Sequence, residues 1–150
     1  KCKMVSLDSK DGGLLITSYH PILCRKNWLF PCSLKLAEEV ECDYVYNLVL
    51  EDGHHIVEIG GYECVTLGHS YKNIIVAHDY FGTQKVINDL KLFNGFNSGF
   101  IVLFPENIER GSDKRICGIK PNSKQIKLSN EEERVLNNIE FNGVSELLCS

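Results

Sequence analysis

Residues 45 to 70 contain short runs of strand-forming residues separated by glycine turns, and this pattern limits the fold more than any other feature. The segment is VYNLVLEDGHHIVEIGGYECVTLGHS. The Asp52-Gly53 pair supplies the positive φ that a hairpin turn needs, and Gly60-Gly61 turns the chain again. We therefore predict a strand before residue 51, a second strand at 54 to 59 and a third at 62 to 67, with the first two joined as a hairpin.

Three of the five histidines lie in this segment, directly after a predicted turn or strand. His54 and His55 follow the first turn, and His69 follows the third strand. A histidine at a strand end can reach solvent and a reacting group together, which a core position does not allow. These side chains are therefore candidates for acid–base chemistry, and solvated turn histidines are the alternative.

A second candidate site follows the strand predicted at residues 14 to 16, where the chain continues as TSYHP. Pro21 fixes a turn at this point. A neutral imidazole of His20 can donate a proton to a leaving amide nitrogen. The Thr17 hydroxyl can orient that ring or hydrogen-bond the carbonyl under attack. The pair therefore suits acyl transfer, although the spacing is a common one.

The composition bears on several classes of function. The chain has 150 residues, enough for one domain, and its net charge of −4 gives no electrostatic case for nucleic acid or an anionic membrane. No apolar run has the length of a membrane span. The first residues lack the apolar core of a signal peptide, and residues 3 to 7 already predict a strand, so we expect a fragment or a processed product.

The chain has seven cysteines, an odd number, and no two of them have the Cys-x-x-Cys spacing of common zinc sites. This pattern favours reduced thiols in a reducing compartment, and we predict a cytoplasmic protein that needs no cofactor. Cys32, Cys42 and Cys64 are expected as small apolar residues of a β core. A zinc site built from His20, Cys24 and Cys32 is the alternative.

The order of these motifs resembles the Hint fold of hedgehog autoprocessing domains and inteins. More narrowly, the chain resembles the Vint branch, the Hint-type domains found beside von Willebrand A domains. The resemblance implies a mainly β, Hint-type fold with one or two short helices. It covers about residues 5 to 100 and rests on Thr-x-x-His-Pro at 17 to 21, Val-Tyr-Asn-Leu at 45 to 48, Cys-Val-Thr-Leu-Gly-His at 64 to 69 and His-x-x-Phe-Gly-Thr at 78 to 83.

The resemblance implies self-cleavage through a thioester. A cysteine at the start of the domain attacks the preceding peptide carbonyl, and the thioester then passes to water or to another nucleophile. His20 corresponds to the family histidine that activates the scissile amide, and Thr17 corresponds to its partner. His54 or His55 corresponds to the histidine of the following strand, and His69 to the histidine before the terminal asparagine of inteins.

Three positions depart from the family pattern. Asn47 replaces an aspartate of many inteins and can hydrogen-bond but cannot transfer a proton. Ser70 stands in place of asparagine and cannot form the succinimide of splicing, so N-terminal cleavage is the expected activity. Cys2 lies only 15 residues before Thr17, closer than the family nucleophile, so we expect the nucleophile to be missing and the isolated chain to be inactive.

The implied substrate is the chain's own flanking polypeptide, and the implied neighbours are von Willebrand A or ubiquitin-system domains. Two other functions stay open. A degenerate Hint fold would only bind a partner or hold neighbouring domains together, and a small module would bind zinc through cysteine and histidine.

The rest of the chain divides into a structured part and a polar part. His78 and Asp79 are a candidate catalytic or metal pair, with a hydrogen-bonded turn as the alternative. We predict a Hint-like domain at 1–104 and a polar tail at 105–150. Further predicted elements are a hairpin at 22 to 34 with its turn at 25 to 27, strands at 73 to 77 and 99 to 104, a helix at 84 to 93 capped by Thr83, and a short helix at 129 to 138.

Overall fold

The computed structural model describes residues 1–51 and 53–126, together with the backbone of residues 144–146. In this part the chain is mainly β with two short helices, which confirms the predicted fold class. The strands are β1 Cys2–Leu7, β2 Leu14–Thr17, β3 Ile22–Cys24, β4 Asn27–Leu29, β5 Glu38–Val40, β6 Tyr46–Leu48, β7 Ile56–Ile59, β8 Tyr62–Val65, β9 Phe100–Val102, β10 Ile108–Arg110, β11 Ile116–Ile119 and β12 Val144–Glu146, and the helices are α1 Gln84–Leu90 and α2 Ser123–Ile126.

The strands form small sheets rather than one large sheet. β1 lies between β2 and β5 in one antiparallel sheet, and a second sheet has the order β4-β3-β8-β7. β12 lies between β6 and β9, and β10 pairs with β11. The first two sheets share a core. Side chains alternate between the two faces of a strand, and each strand contributes residues of one face to this core. The buried members of this core are Val5, Leu7, Ile16, Ile22 and Cys64.

One predicted hairpin and the predicted turn at Gly60-Gly61 are confirmed, and the other predicted hairpin is wrong. β3 and β4 pair around Arg25 and Lys26, which both have positive φ, and β7 and β8 pair around Gly60-Gly61. β6 does not pair with β7 as predicted; it pairs with β12. The end of β6 also accepts a hydrogen bond from Leu67 of the segment after β8, so long-range partners replace the local one. Asp52 of the predicted turn lies outside the described residues.

A second core forms around α1. The predicted helix is confirmed in its first part: it begins after Thr83, whose hydroxyl accepts a hydrogen bond from the Lys85 amide at 3.3 Å, and it ends at Leu90. The predicted strand at 73 to 77 is wrong, because Asn73 closes a helical turn there by accepting from the Ala77 amide. The buried members of the second core are Leu67, Tyr80, Val86, Leu90, Phe93, Ile101, Leu103, Ile116 and Ile119.

The segment after residue 104 belongs to this second core as far as the structure describes it. Ile116 and Ile119 of the β10–β11 hairpin are buried, and Asn107 is 1% exposed. Residues 105–126 are therefore folded onto the body and are not a tail in this part. The helix predicted at 129 to 138 lies outside the described residues, and the domain border at 104 stays a prediction.

None of the helices in the described part of the chain has the length and apolar character that a membrane crossing requires.

Candidate functional site

A cleft of about 550 Å³ lies where the ends of several elements meet. Its walls come from the turn after β2, from β6, from the segment after β8, from residues 74 to 78 and from the turn between β10 and β11. The cleft therefore collects side chains that are far apart in the sequence. Four of the predicted site residues line it, namely Thr17, His20, Asn47 and His69.

The His20 side chain is anchored to the opposite strand. Its Nε2 lies 2.8 Å from the carbonyl oxygen of Val65, which can only accept, so Nε2 carries the proton. Nδ1 is then the acceptor nitrogen of this ring. Burial lowers the pKa of His20, and the bond to Val65 opposes that shift only in part. His20 is therefore a neutral imidazole at pH 7 with one defined tautomer.

The His69 side chain is buried, at 5% exposure. Its Nδ1 accepts a hydrogen bond from the Tyr71 amide at 2.9 Å, which leaves the proton on Nε2. Burial, followed by the positive charges that His55, His78 and His20 would carry, lowers the pKa of His69 to about 4. The ring packs so closely on Gly82 that a Cβ there would lie 2.9 Å from Cε1 of His69.

His78 also lines the cleft, in the turn that the sequence suggests as one alternative. Its Nδ1 accepts from the amides of Tyr80 at 3.1 Å and Phe81 at 3.0 Å. Burial and the charge of Arg115 lower its pKa, and Asp79 opposes them. In the sequence, His78 is marked by its place in the His-x-x-Phe-Gly-Thr motif. The sequence alone does not show that His78 lines the same cleft as His20.

Thr66 is a site residue that the sequence analysis missed. It lies in the cleft wall between Val65 and Leu67 and is 4% exposed. Among the described residues its hydroxyl is the buried side-chain oxygen or nitrogen that has no hydrogen-bond partner. An unpaired buried hydroxyl costs free energy, so Thr66 is a candidate for contact with a ligand or substrate in the cleft.

The two remaining predicted histidines lie outside the cleft wall. His54 is exposed, and its amide donates to the Glu51 carbonyl in a turn. His55 packs edge-on against Tyr71, with ring centroids 6.0 Å apart, and Tyr71 in turn packs against His69. His54 thus matches the solvated turn histidine that the sequence offers as the alternative, and the Tyr71 ring packs against both His55 and His69.

A sequence model of the Vint family, described as a Hint domain, matches residues 1–118 of the chain. The chain belongs to the Vint family of Hint domains. The match includes the cleft residues and nearly all of the β10–β11 hairpin, beyond the end of the resemblance at residue 100. A comparison with curated proteins finds no match to this Vint domain.

The zinc site suggested by the sequence is wrong. No group of three His, Cys, Asp or Glu side chains in the described part of the Vint domain is placed to hold a metal ion, so His20, Cys24 and Cys32 do not form a ligand set. His20 is committed to Val65 instead. Burial raises the pKa of Cys64 to about 11, so this thiol is protonated and unreactive at pH 7.

The low pKa of His69 makes the stability of the Vint domain pH-dependent. Between pH 6.5 and about 4 the unfolded chain binds a proton at this histidine and the native state does not, so stability falls as the pH falls through this range. We expect the free energy of unfolding to drop by on the order of 2 kcal/mol from this residue. Urea unfolding at several pH values measures the slope.

His69→Asn keeps an acceptor for the Tyr71 amide and removes the titration, so the slope should become shallower. His54→Asn is the matched control, because that histidine is exposed. An equal slope in all three proteins would contradict the prediction.

Proposed function

We propose that this Vint domain cleaves its own chain on the N-terminal side through a cysteine thioester. The observation that carries the proposal is the state of His20. Its Nε2 is held by the Val65 carbonyl, and its Nδ1 is an acceptor on a ring that lines the cleft. A neutral, oriented imidazole is what a thiol needs to lose its proton as it attacks a carbonyl.

The His20 ring can carry out both proton transfers of the reaction. The attacking thiol gives its proton to Nδ1 of His20 while the S–C bond forms. The imidazolium then gives that proton to the amide nitrogen as the C–N bond breaks, and a thioester and a free amine result. Because burial lowers the pKa of His20, its imidazolium is a stronger acid than a solvated one and releases the proton more readily.

Hydroxyl donors in the cleft support the same chemistry. The tetrahedral intermediate carries an oxyanion. Hydrogen-bond donors that are already in place and have no other partner stabilise this charge most effectively. Thr66 has a buried hydroxyl without a partner, and Thr17 lines the same cleft. Asn47 lines it as well, and its amide can hydrogen-bond the substrate but cannot move a proton.

We place the nucleophile outside the described residues. No cysteine is among the cleft-lining side chains of this part, and Cys2 belongs to strand β1. We expect the nucleophile upstream of residue 1, so the substrate is the flanking polypeptide. Ser70 lacks the amide that attacks in splicing, which favours cleavage over splicing. Neighbouring von Willebrand A or ubiquitin-system domains and a cytoplasmic location stay predictions.

The test uses the chain fused behind a reporter domain through the residues that precede it in the natural protein. We expect dithiothreitol to release the reporter and hydroxylamine to release it as a hydroxamate, because both attack a thioester. Mass spectrometry follows both products with time. A fusion that stays intact under both conditions, although folded, would overturn the proposal.

The intact result would favour the second candidate function, a degenerate Hint fold that binds a partner. This second candidate is supported by one observation: no cysteine lines the described part of the cleft wall.

A further inference from the structure

The turn between β10 and β11 places three cations on one wall of the cleft. Arg110, Lys114 and Arg115 line it and are exposed. The whole chain has a net charge of −4, so a cationic wall at this point is not expected from composition. An exposed cation is usually solvated and does not by itself indicate a binding site. Whether these three side chains can bind a ligand depends on whether acids already neutralise them and on how rigidly the turn holds them.

None of the three cations is paired within the described part of the chain. The ion pairs there are Lys35 with Asp8 and Lys120 with Glu109. Two acids are next to these cations in the sequence: Glu109 is paired with Lys120, and the Asp113 carboxylate accepts from the Arg115 backbone amide at 3.0 Å. Asp79 belongs to the His78 turn and raises the pKa of that histidine. Two guanidinium groups and one ammonium group therefore remain for a ligand.

The turn that carries these cations is held in a fixed shape. The Gly111 amide donates to the Arg115 carbonyl at 2.9 Å, and the Lys114 amide donates to the Gly111 carbonyl at 2.9 Å. The Arg110 guanidinium donates to the Lys114 carbonyl at 3.0 Å. A binding group that is ordered before the ligand arrives loses less entropy on binding. Arg115 also lowers the pKa of His78, so its charge is felt inside the cleft.

Other parts of the cleft rim are apolar. Tyr19 is 74% exposed and packs edge-on against Phe30, and Ile74 is 91% exposed. The cleft thus has a charged wall at one hairpin and apolar groups elsewhere on its rim. A small neutral nucleophile such as water would use neither, whereas an anion would be attracted to the cationic wall.

We propose that the cationic wall formed by Arg110, Lys114 and Arg115 binds the nucleophile that receives the thioester, and that this acceptor carries a carboxylate or a similar anion. The inference rests on the proposed thioester chemistry. An acceptor thiol forms a new S–C bond to the acyl group, the S–C bond to the cysteine of the domain breaks, and the acceptor's proton passes to the departing thiolate. Arginine suits this role because its planar donors match a carboxylate.

Three thiols with the same two-carbon frame test the charge of the acceptor on the reporter fusion. Mercaptoethanesulfonate is anionic, mercaptoethanol is neutral and cysteamine is cationic. After correction for the thiolate fraction of each, we expect the anionic thiol to release the reporter about five-fold faster than the neutral one. The ratio should fall toward one at about 0.5 M salt, because screening weakens the attraction.

The double variant Arg110→Gln, Arg115→Gln should lose most of this preference. The matched control is Arg25→Gln, Lys26→Gln, which removes the same charge from the exposed β3–β4 turn outside the cleft. The control should keep the ratio of the unchanged fusion. Equal rates for anionic and neutral thiols in the unchanged fusion, or an equal loss in both variants, would overturn the subsite.

Failure of the subsite and failure of the thioester chemistry give different results. If mercaptoethanol releases the reporter and the sulfonate has no advantage, only the subsite is wrong. If no thiol releases the reporter, the proposed function is wrong. The subsite is then tested separately, by the binding of ethanesulfonate to the chain. Amide signals of Gly111 and Arg115 in NMR spectra should then shift on titration and stay unshifted in the double variant; no shift in the unchanged chain overturns the site.

A pair of peptide thiols identifies the source of the anion. A short cysteine peptide with a neighbouring aspartate is compared with the same peptide carrying asparagine. A preference for the aspartate peptide above that for mercaptoethanesulfonate would indicate a peptide acceptor, and the reverse order a small one.

Discussion

Replacing His20 with alanine should lower the rate of thiol-dependent cleavage by about 10²–10⁴-fold, the usual contribution of general acid–base catalysis. The loss is large because one ring serves both steps, first as base for the thiol and then as acid for the amine. No other histidine in the cleft offers Nδ1, since His69 and His78 use that atom to accept backbone amides. The rate is measured as reporter release under single-turnover conditions in the fusion.

His54→Ala is the control for this variant, because His54 is exposed and lies outside the cleft wall. Its rate should stay within about two-fold of the unchanged fusion, since substitutions away from such features have small effects. His20→Gln adds a second comparison, because its amide can still donate to the Val65 carbonyl but cannot take a proton. A His20→Gln rate close to that of the unchanged fusion would assign His20 a purely structural role.

Local sequence is enough to predict the elements that depend on near neighbours. Thr83 caps α1 by bonding an amide two residues away, and the Gly60-Gly61 turn joins two adjacent strands. The Thr17 to Pro21 turn is of the same kind, because the His20 amide donates to the Thr17 carbonyl. Each of these features needs only a residue type at a fixed offset, which the sequence states directly.

The parts that sequence reasoning missed depend on partners far along the chain. His20 obtains its tautomer from Val65, which is 45 residues away, and Thr66 is recognised only because its hydroxyl is left unpaired there. β6 pairs with β12 across about two thirds of the chain, although an Asp-Gly pair, which favours a local turn, follows β6 in the sequence. Turn chemistry favours a local hairpin, but tertiary pairing determines which strand lies beside it.

The segment after residue 104 illustrates the same limit. Its composition is polar because it contains charged residues such as Arg110, Lys114 and Arg115, which are exposed. Its apolar side chains Ile116 and Ile119 are buried in the second core, and Ile108 packs against that core. Average polarity therefore predicts a tail, whereas the position of a few apolar residues attaches the described part to the core.

Replacing Asn107 with alanine should lower the free energy of unfolding by about 3 kcal/mol, because several buried groups lose their partners at once. The Asn107 carbonyl oxygen accepts from the Phe104 amide at 2.8 Å and from Gln125 at 3.2 Å. Its amide group donates to the Lys120 carbonyl at 2.8 Å and to Gln125 at 2.6 Å. This side chain therefore joins both ends of the β10–β11 hairpin to Gln125 of α2.

Urea unfolding followed by Trp28 fluorescence measures the change, with Asn88→Ala as the matched control. Asn88 is exposed on α1 and only accepts from Gln84 at 3.4 Å, so its loss should cost less than about 0.5 kcal/mol. If the two variants unfold at the same urea concentration, residues 105–126 contribute little to the folded body. A large loss confined to Asn107 would establish that this segment, with the cationic wall it carries, is an integral part of the Vint domain.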